Sequence, residues 1–271
     1  QINKQPSKMQ AYEYHEVSEH LRDRHPYLEP PFRVGVDPEQ VTVAVFDRAI
    51  PKLADVIMTE LEAKKLRDAL VTLNEMVSHQ ESKDDMINLG IIDTVSARLH
   101  HSDWQVRRAA SILLGGLISV KQGRDQITDA FNGLQLQLDD DVLYVREAAS
   151  WTVCRMAMFR DGIELLVASN TIKAVVLALQ KFSHPGALCA DQSLFILYLV
   201  ETLGCCTTFD SGIEPILGMN TITCLKMLLQ KDLSSKMRGY EEKVQTRCLK
   251  SIANITFNHL GKDEGVDEEV I

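Results

Sequence analysis

The chain has 271 residues, 45% of them hydrophobic and only 6% aromatic, and carries a formal net charge of −9. That supplies enough apolar side chain for a large core, and its bias toward Leu, Ile, Val and Ala favours helix-on-helix packing. The acidic balance argues against nucleic acid as the main partner, because phosphate binding needs a concentrated basic face, and against anionic membrane surfaces for the same reason.

Residues 1–40 hold five of the eight prolines (Pro6, Pro26, Pro30, Pro31, Pro38) and lose helical apolar periodicity after Leu21. A weak helix is expected over Ser7–Asp23 and extended chain beyond it, since proline blocks regular structure and restricts the residue before it. The aromatics Tyr12, Tyr14, Tyr27 and Phe32, with Phe46 just beyond, make this a docking arm rather than a solvated linker. The polar start carries no signal-peptide pattern, and the longest apolar run, Leu194 to Val200, falls far short of the ~20 residues a bilayer requires. The chain therefore reads as soluble.

From about Val41 the pattern changes to successive short helices with a repeat. Leu66-Arg67-Asp68-Ala69, Val106-Arg107-Arg108-Ala109 and Val145-Arg146-Glu147-Ala148 begin 40 and then 39 residues apart, with a looser echo at Val244-Gln245-Thr246-Arg247. A period near 40 is that of helical solenoids, in which each unit leaves an apolar face for its neighbour to cover. Within one unit, Gly90–Leu99 predicts a helix, His101-Ser102-Asp103 a turn in which Asp103 caps the next helix, and Trp104 to about Val120 a long helix closed by Gly123. Arg107 falls in the first turn of that helix, available to a carboxylate of the adjacent unit. In the second half, Gly162-Ile163-Glu164 and Asn170-Thr171-Ile172 recur 50 residues later as Gly212-Ile213-Glu214 and Asn220-Thr221-Ile222. The longer spacing places insertions at Phe182–Leu188 and Asp232–Tyr240. About five units result, near 41–82 (partial), 83–122, 123–160, 161–210 and 211–260. The acidic Gly261–Ile271 reads as a tail or the start of another helix, with the expectation that the protein continues.

Each unit resembles an armadillo repeat: a short helix, a Gly or Asn turn, a second helix, a capped turn and a long third helix. Gly90–Leu99 resembles the family's second helix, and Val106–Ser119 and Val145–Met158 its third, which lines the concave groove. The resemblance implies an all-α, armadillo/HEAT-like right-handed superhelical solenoid of about five repeats over 41–260, preceded by the extended arm of 1–40. A narrower likeness lies in the order Gly35-Val36-Asp37-Pro38, Ala49-Ile50-Pro51-Lys52-Leu53, Leu66-Arg67-Asp68-Ala69-Leu70 and Gly90-Ile91-Ile92. It is similar to the opening of the armadillo-repeat radial spoke head 14 homologues, clearest over 34–140. That resemblance implies a structural subunit of the ciliary or flagellar axoneme.

Trp151 falls where peptide-binding armadillo proteins often carry a groove tryptophan, and Arg155 lies one turn on, where they carry asparagine. The pair either clamps an extended peptide, an aromatic platform beside a charged fork, or Trp151 fills the layer between units. The equivalent positions are Thr72/Met76, Ile112/Gly116 and Lys250/Asn254. They form no Trp–Asn ladder, which argues against a receptor for basic nuclear-localisation peptides. Trp104, after the capping Asp103, is either an interface anchor or packed on the neighbouring turn. The candidate partner-binding residues are Trp151, Arg155, Ile112, Asn254 and Trp104.

No chemistry competes with binding. The eight histidines do not converge, and Cys154, Cys189, Cys205, Cys206, Cys224 and Cys248 lie in apolar stretches without Cys-x-x-Cys spacing. They read as reduced core thiols of an intracellular protein. The chain lacks Gly-x-Ser-x-Gly, P-loop, Gly-x-Gly-x-x-Gly and His-Glu-x-x-His motifs. The expectation is a non-enzyme without cofactor, metal, small-molecule substrate, nucleic acid or membrane partner. It would be a scaffold subunit of the radial spoke in the cilium or flagellum axoneme, within the cytoplasm and cytoskeleton, holding neighbouring spoke proteins through its groove and arm. The alternative is a cytoplasmic peptide-binding adaptor or transport factor unrelated to cilia.

Overall fold

In a computed structural model, residues 49–182, 192–230 and 239–258 are described, all within a compact unit spanning 47–271. The expected arm of 1–40, the segment 41–48, the tail after 258 and most of both expected insertions lie outside them.

Fourteen α-helices are present among the described residues. They are α1 Ala49–Thr59, α2 Ala63–Met76, α3 Gln80–Asn88, α4 Ile91–Arg98, α5 Trp104–Leu117, α6 Lys121–Gln126, α7 Ala130–Gln137, α8 Leu143–Ala157, α9 Arg160–Ala168, α10 Thr171–Phe182, α11 Ser193–Cys206, α12 Asp210–Ile213, α13 Thr221–Gln230 and α14 Glu241–Phe257. Short 3₁₀ turns at Ile127–Asp129 and Glu214–Ile216 follow α6 and α12. The order is a partial unit, α1–α2, then four three-helix units, α3–α5, α6–α8, α9–α11 and α12–α14. Consecutive third helices (α2, α5, α8, α11, α14) pack on one another. This is the all-α solenoid the repeat predicts.

The register is set by burial. Leu66, Val106, Val145, Phe195 and Val244 open the buried stripe of successive third helices, each with no exposed surface. Removing such a side chain from water contributes about 1.5–3 kcal/mol. In the fourth unit Phe195-Ile196 stands where the second and third carry Val-Arg, so the signature is lost while the buried position is kept. Five residues join α4 to α5 and α7 to α8, but ten join α10 to α11 and α13 to α14. The stretched spacing therefore arises between second and third helices.

The turns follow their residues. Asp103 Oδ1 accepts the backbone N–H of Gln105 at 2.7 Å and of Val106 at 3.4 Å, the expected cap. Gly90, Asn170 and Asn220 occupy the same joint before the second helix, all with positive φ (69°, 59° and 54°), a conformation only Gly and Asn adopt readily.

Two boundaries differ from expectation. The long helix of the second unit ends at Leu117, short of Val120. Gly123 does not close that unit but lies inside α6 of the next. A Cβ there would stand 2.3 Å from the Leu117 carbonyl oxygen, and at Gly162 and Gly212 2.1 and 2.2 Å from those of Met156 and Cys206. Glycine at this point lets α6, α9 and α12 lie against the end of the preceding third helix.

Candidate peptide-binding face

The third helices carry the candidate residues, and polar bonds lock them across unit boundaries. Arg107 donates from Nε and Nη2 to the two carboxylate oxygens of Asp140, at 2.8 and 2.9 Å. Its Nη1 meets the carbonyls of His101 and Ser102. This is the inter-unit pairing expected of Arg107. Arg67 makes the analogous reach from the first unit, but to the amide oxygen of Gln105 rather than a carboxylate. Arg124 binds Asp161 at 2.9 Å and lies 3.8 Å from the centre of the Phe159 ring. Burial alone would raise the Asp161 carboxyl, but the hydrogen bond and charge of Arg124 more than offset it and hold its pKa below the usual value.

Trp151 is half-buried, its ring laid against the backbone of α5: a Cβ on Gly115 would meet it at 2.3 Å. Arg155 Nε donates to the Gly115 carbonyl at 2.9 Å, and the guanidinium carbon lies 5.2 Å from the Trp151 ring centre. Both side chains therefore bridge α8 to α5: the Trp151 ring packs on the neighbouring unit while the residue stays partly open. Ile112, at the equivalent position of α5, is likewise half-buried. Asn254 is farther along, half-buried, its Nδ2 donating to the Thr207 hydroxyl at 3.3 Å. Trp104 stacks on Tyr144 with ring centres 5.9 Å apart and planes 25° from parallel. Tyr144 is exposed, and Arg108 lies 5.8 Å from its ring centre.

Sequence reasoning missed Glu201 and Tyr144. Glu201 occupies the Trp151 position of the fourth unit and pairs with Arg247 of α14 at 2.8 Å. Counting back from the recurring Gly162 and Gly212 would have found it. In these third helices, burial pushes the Cys154 and Cys248 thiols up to about 12 and Cys206 higher still, with the half-buried Cys205 raised less. Such thiols are poor nucleophiles and metal ligands. Cys189 lies outside the described residues. No group of three His, Cys, Asp or Glu at ligand spacing occurs among the described residues, and no single helix there is long and apolar enough to cross a membrane. His101 Nδ1 is engaged, accepting the Asp103 backbone N–H.

The fold matches solved structures closely. A designed armadillo repeat protein in complex with the peptide (KR)4 superposes with a TM-score of 0.68 at 18% identity, covering 82% of this chain and 88% of that one. The fold is armadillo-type. A computationally designed armadillo repeat protein for modular peptide recognition gives 0.68 at 16% identity over 82% of this chain and 89% of that one. An engineered protein from a structural genomics programme gives 0.68 at 20% over 82% and 87%. No protein-family model and no curated protein matches the sequence.

Proposed function

We propose that this chain is a non-enzymatic scaffold that holds protein partners as extended segments along its third-helix face. The observation that carries this reading is the Trp151–Arg155 pair, fixed on Gly115 of the neighbouring unit yet half open. An aromatic plate beside a positioned guanidinium is costly to expose and suited to gripping a peptide. Ile112, Trp104 and Asn254 extend the same surface. Designed relatives of this fold take peptides, among them (KR)4, which supports the mode of binding. Affinity would come from distributed apolar burial at about 25 cal/mol per Å² with a few anchors dominating.

The setting we assign to this scaffold is the radial spoke of the axoneme in motile cilia or flagella, where neighbouring spoke proteins would be its partners. The support is the ordered likeness running from Gly35-Val36-Asp37-Pro38 to Gly90-Ile91-Ile92. A cytoplasmic adaptor or transport factor is the second reading, favoured by the peptide-bound design. The test of binding is Trp151→Ala with Arg155→Ala in a pull-down: helicity should persist while the partner is released, and unchanged capture removes the face from the proposal. Fractionation separates the settings. An axonemal subunit stays with the detergent- and salt-resistant cytoskeleton, whereas an adaptor washes out.

A further inference from the structure

The charges on this face are unevenly satisfied. In register, the position of Arg108 is held by Asp68 in the first unit and Glu147 in the third, and the position of Trp151 by Glu201 in the fourth. Asp68 is bound by Arg67, and Glu201 by Arg247. Glu147 is half-buried, and its charge adds to the burial that raises the Tyr198 hydroxyl of α11. The cations are in a different state. Helix α5 contains no carboxylate at all, and Arg108 is exposed, 5.8 Å from the Tyr144 ring centre. Arg155 spends Nε on the Gly115 carbonyl, leaving its two terminal nitrogens without a hydrogen bond among the described residues. Neither arginine has a carboxylate within ion-pair distance there.

Each arginine is also flanked by an aromatic plate, Arg108 by the stacked Trp104–Tyr144 pair and Arg155 by Trp151. The two sit about one interhelical spacing apart, ~8–10 Å, and eight register positions apart along the helices, ~12 Å. Four to five residues of extended chain span that diagonal of roughly 15 Å.

We propose that the face of the second and third units binds an extended, acidic segment of a partner protein, its carboxylates on Arg108 and Arg155 and its aromatic side chains on Trp104–Tyr144 and Trp151. The inference rests on the peptide-scaffold reading above and fixes the ligand's charge as opposite to that of (KR)4. Guanidinium–carboxylate bonds are charge-assisted and can be bidentate, so acid in the ligand adds both affinity and register. On a chain of net charge −9, the attraction for such a segment is local to Arg108 and Arg155 and fixes where its carboxylates land.

The test is fluorescence anisotropy on the full chain with three labelled twelve-residue or shorter peptides: one carrying Glu and Tyr about four residues apart, the same peptide with Gln for Glu, and (KR)4. The Glu peptide should bind at least about tenfold tighter than either control and weaken with salt. R108E with R155E should invert the preference. If the double variant misfolds by circular dichroism, R108E alone, at an exposed position, carries the test. Equal affinity for the Glu and Gln peptides, tighter binding of (KR)4, or no peptide binding overturns the proposal. The scaffold reading then stands or falls separately, on whether Trp151→Ala with Arg155→Ala releases the partner in the pull-down.

Discussion

Arg107 and Asp140 join the second and third units through a two-pronged ion pair whose side chains are only 18% and 10% exposed. The same guanidinium also closes the turn before its own helix by binding the His101 and Ser102 carbonyls. Arg107→Ala therefore strands a nearly buried carboxylate and two carbonyls at once, and should cost about 2–4 kcal/mol. Arg107→Lys should recover only part of this, because an ammonium cannot present the fork. Urea denaturation followed by circular dichroism measures both, with Lys expected between wild type and Ala.

Asp161 gives the solenoid a dependence on acid. Its folded pKa lies below the unfolded value because Arg124 outweighs the cost of burial. A depressed carboxylate pKa contributes stability that is present above the unfolded pKa and lost as pH falls through the folded one. Asp161→Asn should thus be less stable than wild type at pH 7, and the gap should close as pH drops below about 4. Denaturation midpoints of both proteins from pH 3 to 7 check this, and a gap independent of pH would contradict it.

How far the sequence reached depends on what each residue does. The Val-Arg signature was readable because the buried valine repeats with the helix and its arginine faces a fixed joint, so Arg107 could be assigned a neighbouring carboxylate before Asp140 was known. The Asn170 and Asn220 turns were readable because a positive φ restricts the residue choice. Gly123 was misread because a glycine needed for close approach looks the same in sequence as one that ends a helix. Glu201 was hidden because Phe195-Ile196 erases the signature in its unit. The Trp104–Tyr144 stack was invisible for another reason: the register partner of Trp104 is Leu143, and the ring that meets it is one residue further on. Contacts between units that break register cannot be read from periodicity.

The thiols should report the same packing. Cys154, Cys206 and Cys248 are buried with strongly raised pKa values, while Cys205 is half-buried and less perturbed. Thiolate is the reactive form, so at pH 8 an alkylating reagent should label Cys205 well before those three. Mass spectrometry of timed samples resolves the order, and all four should react at similar rates in denaturant. Early labelling of Cys154 would mean that α8 and α11 part readily.

Gly162→Ala provides the sharpest test of how the units stack. In an exposed helix this substitution stabilises by up to about 1 kcal/mol, because alanine gives up less backbone freedom on folding. Here the new Cβ would sit 2.1 Å from the Met156 carbonyl oxygen and 3.0 Å from its sulfur. A carbonyl cannot swing aside as a side-chain end can, so α9 must lift from the end of α8. Overpacking of this kind costs about 1–3 kcal/mol, which exceeds the propensity gain and reverses the sign. Gly123→Ala and Gly212→Ala should behave alike, since their Cβ atoms would meet the Leu117 and Cys206 carbonyls at 2.3 and 2.2 Å. Gly239, with φ of 82° and nothing within 4 Å of a Cβ, serves as a control: alanine there meets no neighbour and pays only for the strained backbone. Thermal denaturation of the four variants separates the two causes, because only the three packing glycines should loosen the joint between a third helix and the short helix after it. Hydrogen exchange at the α8–α9 joint should accelerate in Gly162→Ala and stay at the wild-type rate in the control.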